Sequence, residues 1–208
     1  MIEHLLYTAC AGFESARRVG TLPRGHRSGR LHGHSFLAEI RARLPQGWAE
    51  FAYALARLHA NTGPVFGGVP DNYLGAAPQP NPATTDGFVF FAEHRLGQQL
   101  RRARAGGWLS PNEVHACESL AQRLPEWIPL QPASVIHGDL WAGNAIIGPA
   151  GAVCLIDPAA HFGWAEADLA MTALFGGFPP AFYAAYAEAR PMPAGWRERF
   201  PLYNLYHL

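Results

Sequence analysis

The chain contains no lysine: its sixteen basic side chains are all arginine, sixteen acidic residues balance them, and the formal net charge is zero. With no positive excess there is no field to gather nucleic acid or an anionic membrane, and neither is expected as a partner. Cysteine is scarce as well. Cys10, Cys117 and Cys154 stand apart without a CxxC spacing, which argues against a disulfide framework and fits reduced thiols in a cytosolic protein; Cys154, inside an apolar run, reads as core. No apolar run approaches membrane-spanning length, and the opening MIEHLLYTACAGFESARRV has Glu3 where a secretory signal needs positive charge. A cytoplasmic protein is expected. What is abundant is apolar surface, 49% of 208 residues, enough to bury the core of one ordinary domain or two small ones.

Two extended segments open the chain. EHLLYTACAGFESARRV and HSFLAEIRARL flank GTLPRGHRSGR, which contains Gly and Pro, and read as a β-hairpin within residues 2–44. After LPQGW the pattern changes: Phe51, Leu55 and Leu58 recur at i, i+4, i+7, which predicts a helix with one apolar face. A boundary is placed near residues 46–49, dividing 1–47 from 48–208. The next stretch, NTGPVFGGVPDNYLGAAPQPNPATT, is so rich in Gly, Pro and Asn that no regular structure is expected. Asp86 then reads as the cap of a helix through GFVFFAEHRLGQQLRRAR, and Ser110, Pro111 and Glu113 as N-cap, first-turn proline and capping-box acid of another. NAIIG and AVCLID, joined by PAGA, read as a second hairpin. Helices are expected in AEADLAMTALF, in PPAFYAAYAEA and from Trp196 onward, where apolar positions recur to the last residue without a stop signal and the fold is expected to continue.

The chemistry concentrates in SVIHGDLWAGNAIIGPAGAVCLIDPA, residues 134–159. Asp139 and Asn144 share one loop, and Asp157 ends the hairpin that follows, so loop and hairpin bring three polar side chains together. A carboxylate at Asp139 can orient an attacking hydroxyl and accept its proton, while the Asn144 amide oxygen and the Asp157 carboxylate are hard ligands for the Mg²⁺ of ATP. The same division of labour runs the kinase catalytic loop and its metal-binding aspartate. His137 reads as a brace for the loop. The alternative is that Asp139 and Asp157 are ordinary turn and strand-end carboxylates.

From about Phe51 onward the chain resembles the fructosamine (ketoamine) kinases, relatives of the aminoglycoside phosphotransferases: LARLHANTGPVFGG, DNYLG, PQPN, HGDLWAGN, IDPA, EADLAMTALFGGF and LYNLYHL look like that family's signatures. The resemblance implies a protein-kinase-like fold, Asp139 as catalytic base, Asn144 and Asp157 as Mg²⁺ ligands, ATP as phosphoryl donor, and a ketosamine, small or on a glycated protein, as acceptor. Asp168 would support the catalytic loop through hydrogen bonds. The segment AHFGWAEAD departs from the family, with His161, Trp164 and Ala165 where aromatic, His and Arg residues are usual. The family's N-terminal lobe, with its nucleotide-covering loop and lysine, is not recognisable before Phe51, and the chain reads as truncated at its far end too.

His32 and His34 in LHGHSF would face one side of a strand, where they could share a zinc ion. Together with FESARRV and GHRSGRLHGHSF, this segment of about residues 2–44 resembles the start of the 6-carboxytetrahydropterin (6-pyruvoyltetrahydropterin) synthases, whose zinc is held by three histidines. The third ligand would fall at Arg17, whose guanidinium has no lone pair for a metal. The family's cysteine would fall at Ser28, a much weaker acid. Zinc is therefore not expected to be held.

The fold class expected is α+β: a mostly helical C-terminal lobe of protein-kinase-like architecture with a catalytic-loop hairpin, preceded by an N-terminal hairpin. The function expected is ATP-dependent phosphorylation of a ketosamine, impaired by the missing lysine. The alternatives are a non-catalytic pseudokinase fragment, self-associating as a homo-oligomer through LFGGFPPAFYAAY, and a zinc-dependent pterin lyase.

Overall fold

The structure, a computed structural model, describes residues 45–147 and 153–208. The expected N-terminal hairpin, with Arg17, Ser28, His32 and His34, lies outside the described residues, as does the PAGA turn.

The helical stripe read from the sequence forms helix α1 (Pro45–His59). Its apolar face, with Trp48, Phe51, Ala52, Leu55 and Leu58, is buried. Against it lies α6 (Pro180–Ala189), and aromatic rings fill the seam: Trp48 and Phe178 are 4.8 Å apart between centroids, and Phe51 stacks on Phe182 at 5.5 Å. Such pairs add about 1 kcal/mol each to the area they bury. The segment LFGGFPPAFYAAY is therefore not an uncovered surface: Phe178, Phe182 and Tyr186 are core, and Phe175 is its exposed large side chain.

Beside this seam runs a three-stranded antiparallel sheet in the order β1 (Thr62–Gly63), β4 (Ala133–Ile136), β7 (His161–Gly163). Thr62 pairs with Ser134, and Ile136 with His161. All four residues of the central β4 are buried, as expected of a strand covered on both faces. On the other side a second core gathers Phe66, Phe90, Phe91, Trp164 and Tyr203, and Phe162 packs against both cores.

The stretch expected to lack regular structure contains β1 and a hairpin of β2 (Asn72–Leu74) and β3 (Ala77–Gln79), turning at Gly75. Its amide side chains replace the apolar packing that the composition could not supply. Asn81 donates to the Pro70 carbonyl and accepts from Arg95 at 2.6 Å, and Gln79 donates to Asn72 at 2.7 Å.

Both expected helix caps are present. Asp86 accepts from the amides of Phe88 and Val89 at the start of α2 (Gly87–Phe91). That helix continues through a π-helical turn over Ala92–Leu96 into α3 (Gly97–Ala105). The turn's last two residues, Arg95 and Leu96, point into the interior. Ser110 and Glu113 form a complete capping box on α4 (Pro111–Gln122). The second expected hairpin is β5 (Ala145–Ile147) with β6 (Val153–Leu155), Ile146 opposite a buried Cys154. Helix α5 (Ala165–Leu174) follows. The last helix, α7 (Phe200–Asn204), begins four residues later than expected, after turns over residues 194–199 where the Arg199 guanidinium donates to the Ala194 carbonyl at 2.8 Å. Among the described residues no helix is long and apolar enough to cross a membrane.

Candidate active site

The site is built around one buried carboxylate. Asp168 lies in the first turn of α5 with its side chain under the loop that leaves β4. It accepts the backbone N–H of His137 at 2.7 Å and that of Gly138 at 2.8 Å. A third donor is the His59 ring at 3.1 Å, from the last residue of α1. Burial pushes the Asp168 carboxyl up, but the hydrogen bond from His59, with that of the His137 backbone, prevails and holds it below the ordinary carboxylate value. Burial also holds the His59 imidazole below its usual value, so it is neutral: Nε2–H donates to Asp168, and Nδ1 accepts the Tyr186 hydroxyl at 2.6 Å. Asp168 thus has the structural role read for it in the sequence.

His137 is fully buried and braces the loop, as expected. Its Nδ1 accepts the Asp139 N–H at 3.3 Å, which makes Nε2–H the donor to the Ile156 carbonyl at 3.0 Å. Gly138 between them has φ +80°, and a Cβ there would meet the Ala159 carbonyl oxygen at 2.2 Å. No other residue fits the turn at that spacing.

These constraints deliver Asp139 to the rim, half-buried. Asn144 donates its amide N–H to the Asp139 carboxylate at 3.0 Å and to the Asp139 carbonyl at 2.8 Å, which makes the amide oxygen the atom that could hold a metal. Burial raises the Asp139 carboxyl; the Asn144 hydrogen bond and His137 oppose this, and the Asp168 and Asp157 carboxylates add to it. A carboxylate so raised is a better proton acceptor than an exposed one. The Ile156 N–H donates to the Asn144 carbonyl at 3.0 Å, joining the hairpin's exit to the loop. Asp157, next in sequence, is exposed and has φ +50°, the one positive φ outside glycine among the described residues. Asp157 thus follows directly on a residue tied to Asn144, near enough for its carboxylate to raise that of Asp139.

No group of three or more His, Cys, Asp or Glu side chains able to hold a metal occurs among the described residues. Among the described residues no arginine forms an ion pair with Asp139 or Asp157. His161 and Trp164, where the sequence departs from the family pattern, are buried: His161 donates from Nδ1 to the Ala159 carbonyl, and Trp164 packs among Phe66, Phe88 and Phe91. The sequence reading missed His59, which sits at the end of an amphipathic helix and carries no local signal of its partner 109 residues away.

A fructosamine kinase family model matches residues 14–208, beginning well before Phe51 and taking in most of the segment 2–44 that the sequence reading set apart. A probable ketoamine kinase of Synechocystis sp. is 42% identical over 204 residues, covering 95% of this chain and 68% of that protein. One of Escherichia coli K12 is 43% identical over 155 residues, covering 74% of this chain and 53% of that protein. A crystal structure assigned as a fructosamine-3-kinase of Thermobifida fusca superposes with a TM-score of 0.73 at 39% identity, over 78% of this chain and 57% of that one. Another, from Haemophilus somnus, gives 0.71 at 33% identity, over 78% and 55%. The chain thus spans about two thirds of the Synechocystis protein and little more than half of the other three.

Proposed function

The chain belongs to the fructosamine kinase family, and from that premise we propose that it carries the family's phosphotransfer site, for transfer of the terminal phosphoryl group of ATP to a sugar hydroxyl of a ketosamine. The acceptor is a small molecule or a glycated protein, in the cytoplasm. The observation that supports this reading is the hydrogen bond of Asn144 to the Asp139 carboxylate, which burial and the nearby Asp157 carboxylate raise.

Asp139 orients the acceptor hydroxyl and takes its proton, and Asn144 fixes the direction from which the carboxylate does so. The Asn144 amide oxygen and the Asp157 carboxylate would hold Mg²⁺, which when bound would supply charge neutralisation at the phosphates. Asp168 acts through the loop, keeping the His137 and Gly138 amides aligned so that Asp139 stays at the rim. With no lysine anywhere in the sequence, the phosphates lack the ammonium that kinases and P-loop enzymes use, and turnover by this chain is weak. A pseudokinase that binds nucleotide without transfer is the second reading, favoured by that same absence. For residues 2–44 the pterin-synthase resemblance stays a reading of the segment alone, without zinc chemistry at His32 and His34.

Calorimetric titration with Mg²⁺ and ATP, beside an Asp157→Ala control, tests the proposal. Binding that the control loses supports a working metal-nucleotide site, and transfer to a ketosamine then separates kinase from pseudokinase. Absence of binding in both proteins overturns it.

A further inference from the structure

Asp157 holds a left-handed backbone conformation that an aspartate tolerates but does not enforce. The chain is gripped on either side of it. Upstream, Ile156 gives its N–H to Asn144 and receives the His137 ring on its carbonyl. Downstream, the Ala159 carbonyl accepts from Gln79 Nε2 at 3.0 Å and from His161 Nδ1 at 2.9 Å, and the Ala160 carbonyl accepts from Asn72 Nδ2 at 3.0 Å. Only Asp157 and Pro158 lie between the two grips, and the proline ring fixes one of the remaining dihedrals.

The downstream grip comes from the β2–β3 hairpin, and its key member has no freedom. Gln79 is fully buried. Its Oε1 accepts the Tyr206 hydroxyl at 2.7 Å, across 127 residues, while Nε2 donates both to Ala159 and to Asn72 Oδ1 at 2.7 Å. Turning the amide over would set its oxygen against the Ala159 carbonyl. Tyr206 is held in turn, its ring 5.6 Å from the guanidinium of the buried Arg95. One hydrogen bond of this buried amide ends on the backbone two residues after Asp157, neither inside a helix nor along a strand ladder.

We infer that Gln79 and Tyr206 are positioning residues for Asp157: by fixing the Ala159 carbonyl they hold the Asp157 carboxylate in the direction that a metal ion shared with Asn144 requires. This rests on the role proposed for Asp157. Partners that orient a ligand without touching the metal are worth about 10- to 100-fold in metal affinity. Gln79→Met keeps the length of the side chain and removes its hydrogen bonds. Tyr206→Phe removes the hydroxyl that orients the amide.

The test is Mn²⁺ titration in the presence of ADP, read by the loss of free Mn²⁺ signal in paramagnetic resonance, on the wild type, Gln79→Met, Tyr206→Phe and Asp157→Ala. The expected result is an apparent Mn²⁺ Kd raised about 10- to 100-fold by Gln79→Met and several-fold by Tyr206→Phe, with ADP affinity without metal unchanged. A purely structural role would lower the unfolding midpoint and leave the Mn²⁺ affinity of the folded molecules alone. If Gln79→Met fails to fold, Tyr206→Phe alone decides. Loss of Mn²⁺ binding in Asp157→Ala but wild-type affinity in the folded variants overturns the positioning role and leaves the proposed site intact. Unchanged binding in Asp157→Ala overturns both.

Discussion

Two carboxylates on α5, Glu166 and Asp168, are both buried, and two residues of helix turn them about 200° apart. Asp168 faces the loop after β4 and takes its donors from His59 and from the His137 and Gly138 backbones. Glu166 faces α7, where Arg199 binds it through two nitrogens at 2.8 and 2.7 Å and the Tyr203 hydroxyl donates to it at 2.9 Å. One carboxylate meets a full positive charge and locks two helices together. The other meets backbone amides and a neutral imidazole and sets the shape of a loop. A buried acid is thus no marker of function; the kind of donor around it separates scaffold from site.

The comparison breaks most visibly at Asp168. Asp168→Ala leaves three donors without an acceptor, and a loss of about 5 kcal/mol in urea unfolding is expected, together with weakened Mg²⁺·ATP binding by whatever stays folded. Glu166→Ala strands the Arg199 guanidinium in the interior; it should cost about 4 kcal/mol and leave nucleotide affinity unchanged in calorimetry. A similar loss of affinity in both variants would erase the distinction.

Acid sharpens it. Burial holds His59, His137 and His161 below the usual imidazole value and His207 at about 4, and Asp168 acts on the charge of each. Each is neutral in the fold and gains its proton on unfolding once the pH drops under about 6.5, so the unfolded state binds more protons there. Stability therefore falls with pH from about 6.5 down toward the folded values, by up to about 1 kcal/mol per histidine over the first unit. Hydrogen exchange at pH 5 should open the loop around His137 before the contact of α5 with α7.

The smallest effect on stability is expected at Asp139. Because burial raises its carboxyl, the ionised form opposes folding at neutral pH, and Asp139→Asn should unfold within about 0.5 kcal/mol of the wild type or later. Nucleotide binding should persist, while any phosphate transfer drops about 10²- to 10⁴-fold.

The candidate site was legible because its residues are close in sequence: HGDLWAGN and IDPA place Asp139, Asn144 and Asp157 within one loop and one hairpin, and His137 and Asp168 take the supporting roles their motifs predict. The helix caps were legible for the same reason. The sheet was not, since β1 and β7 have two and three residues, too few for a period-2 pattern to emerge. Nor was the β2–β3 hairpin, because what orders it is a set of side-chain amides whose acceptors lie as far as 88 residues away. Proline and glycine content describes the local chain and carries no trace of such partners.

The seam between α1 and α6 also bears on how the protein is made. Leaving the ribosome at about 5–20 residues per second, α1 (Pro45–His59) waits about 6 to 24 s for α6 (Pro180–Ala189). Throughout that interval Trp48 and Phe51 lack the Phe178 and Phe182 rings that cover them in the fold, and the nascent chain presents the kind of surface that chaperones bind.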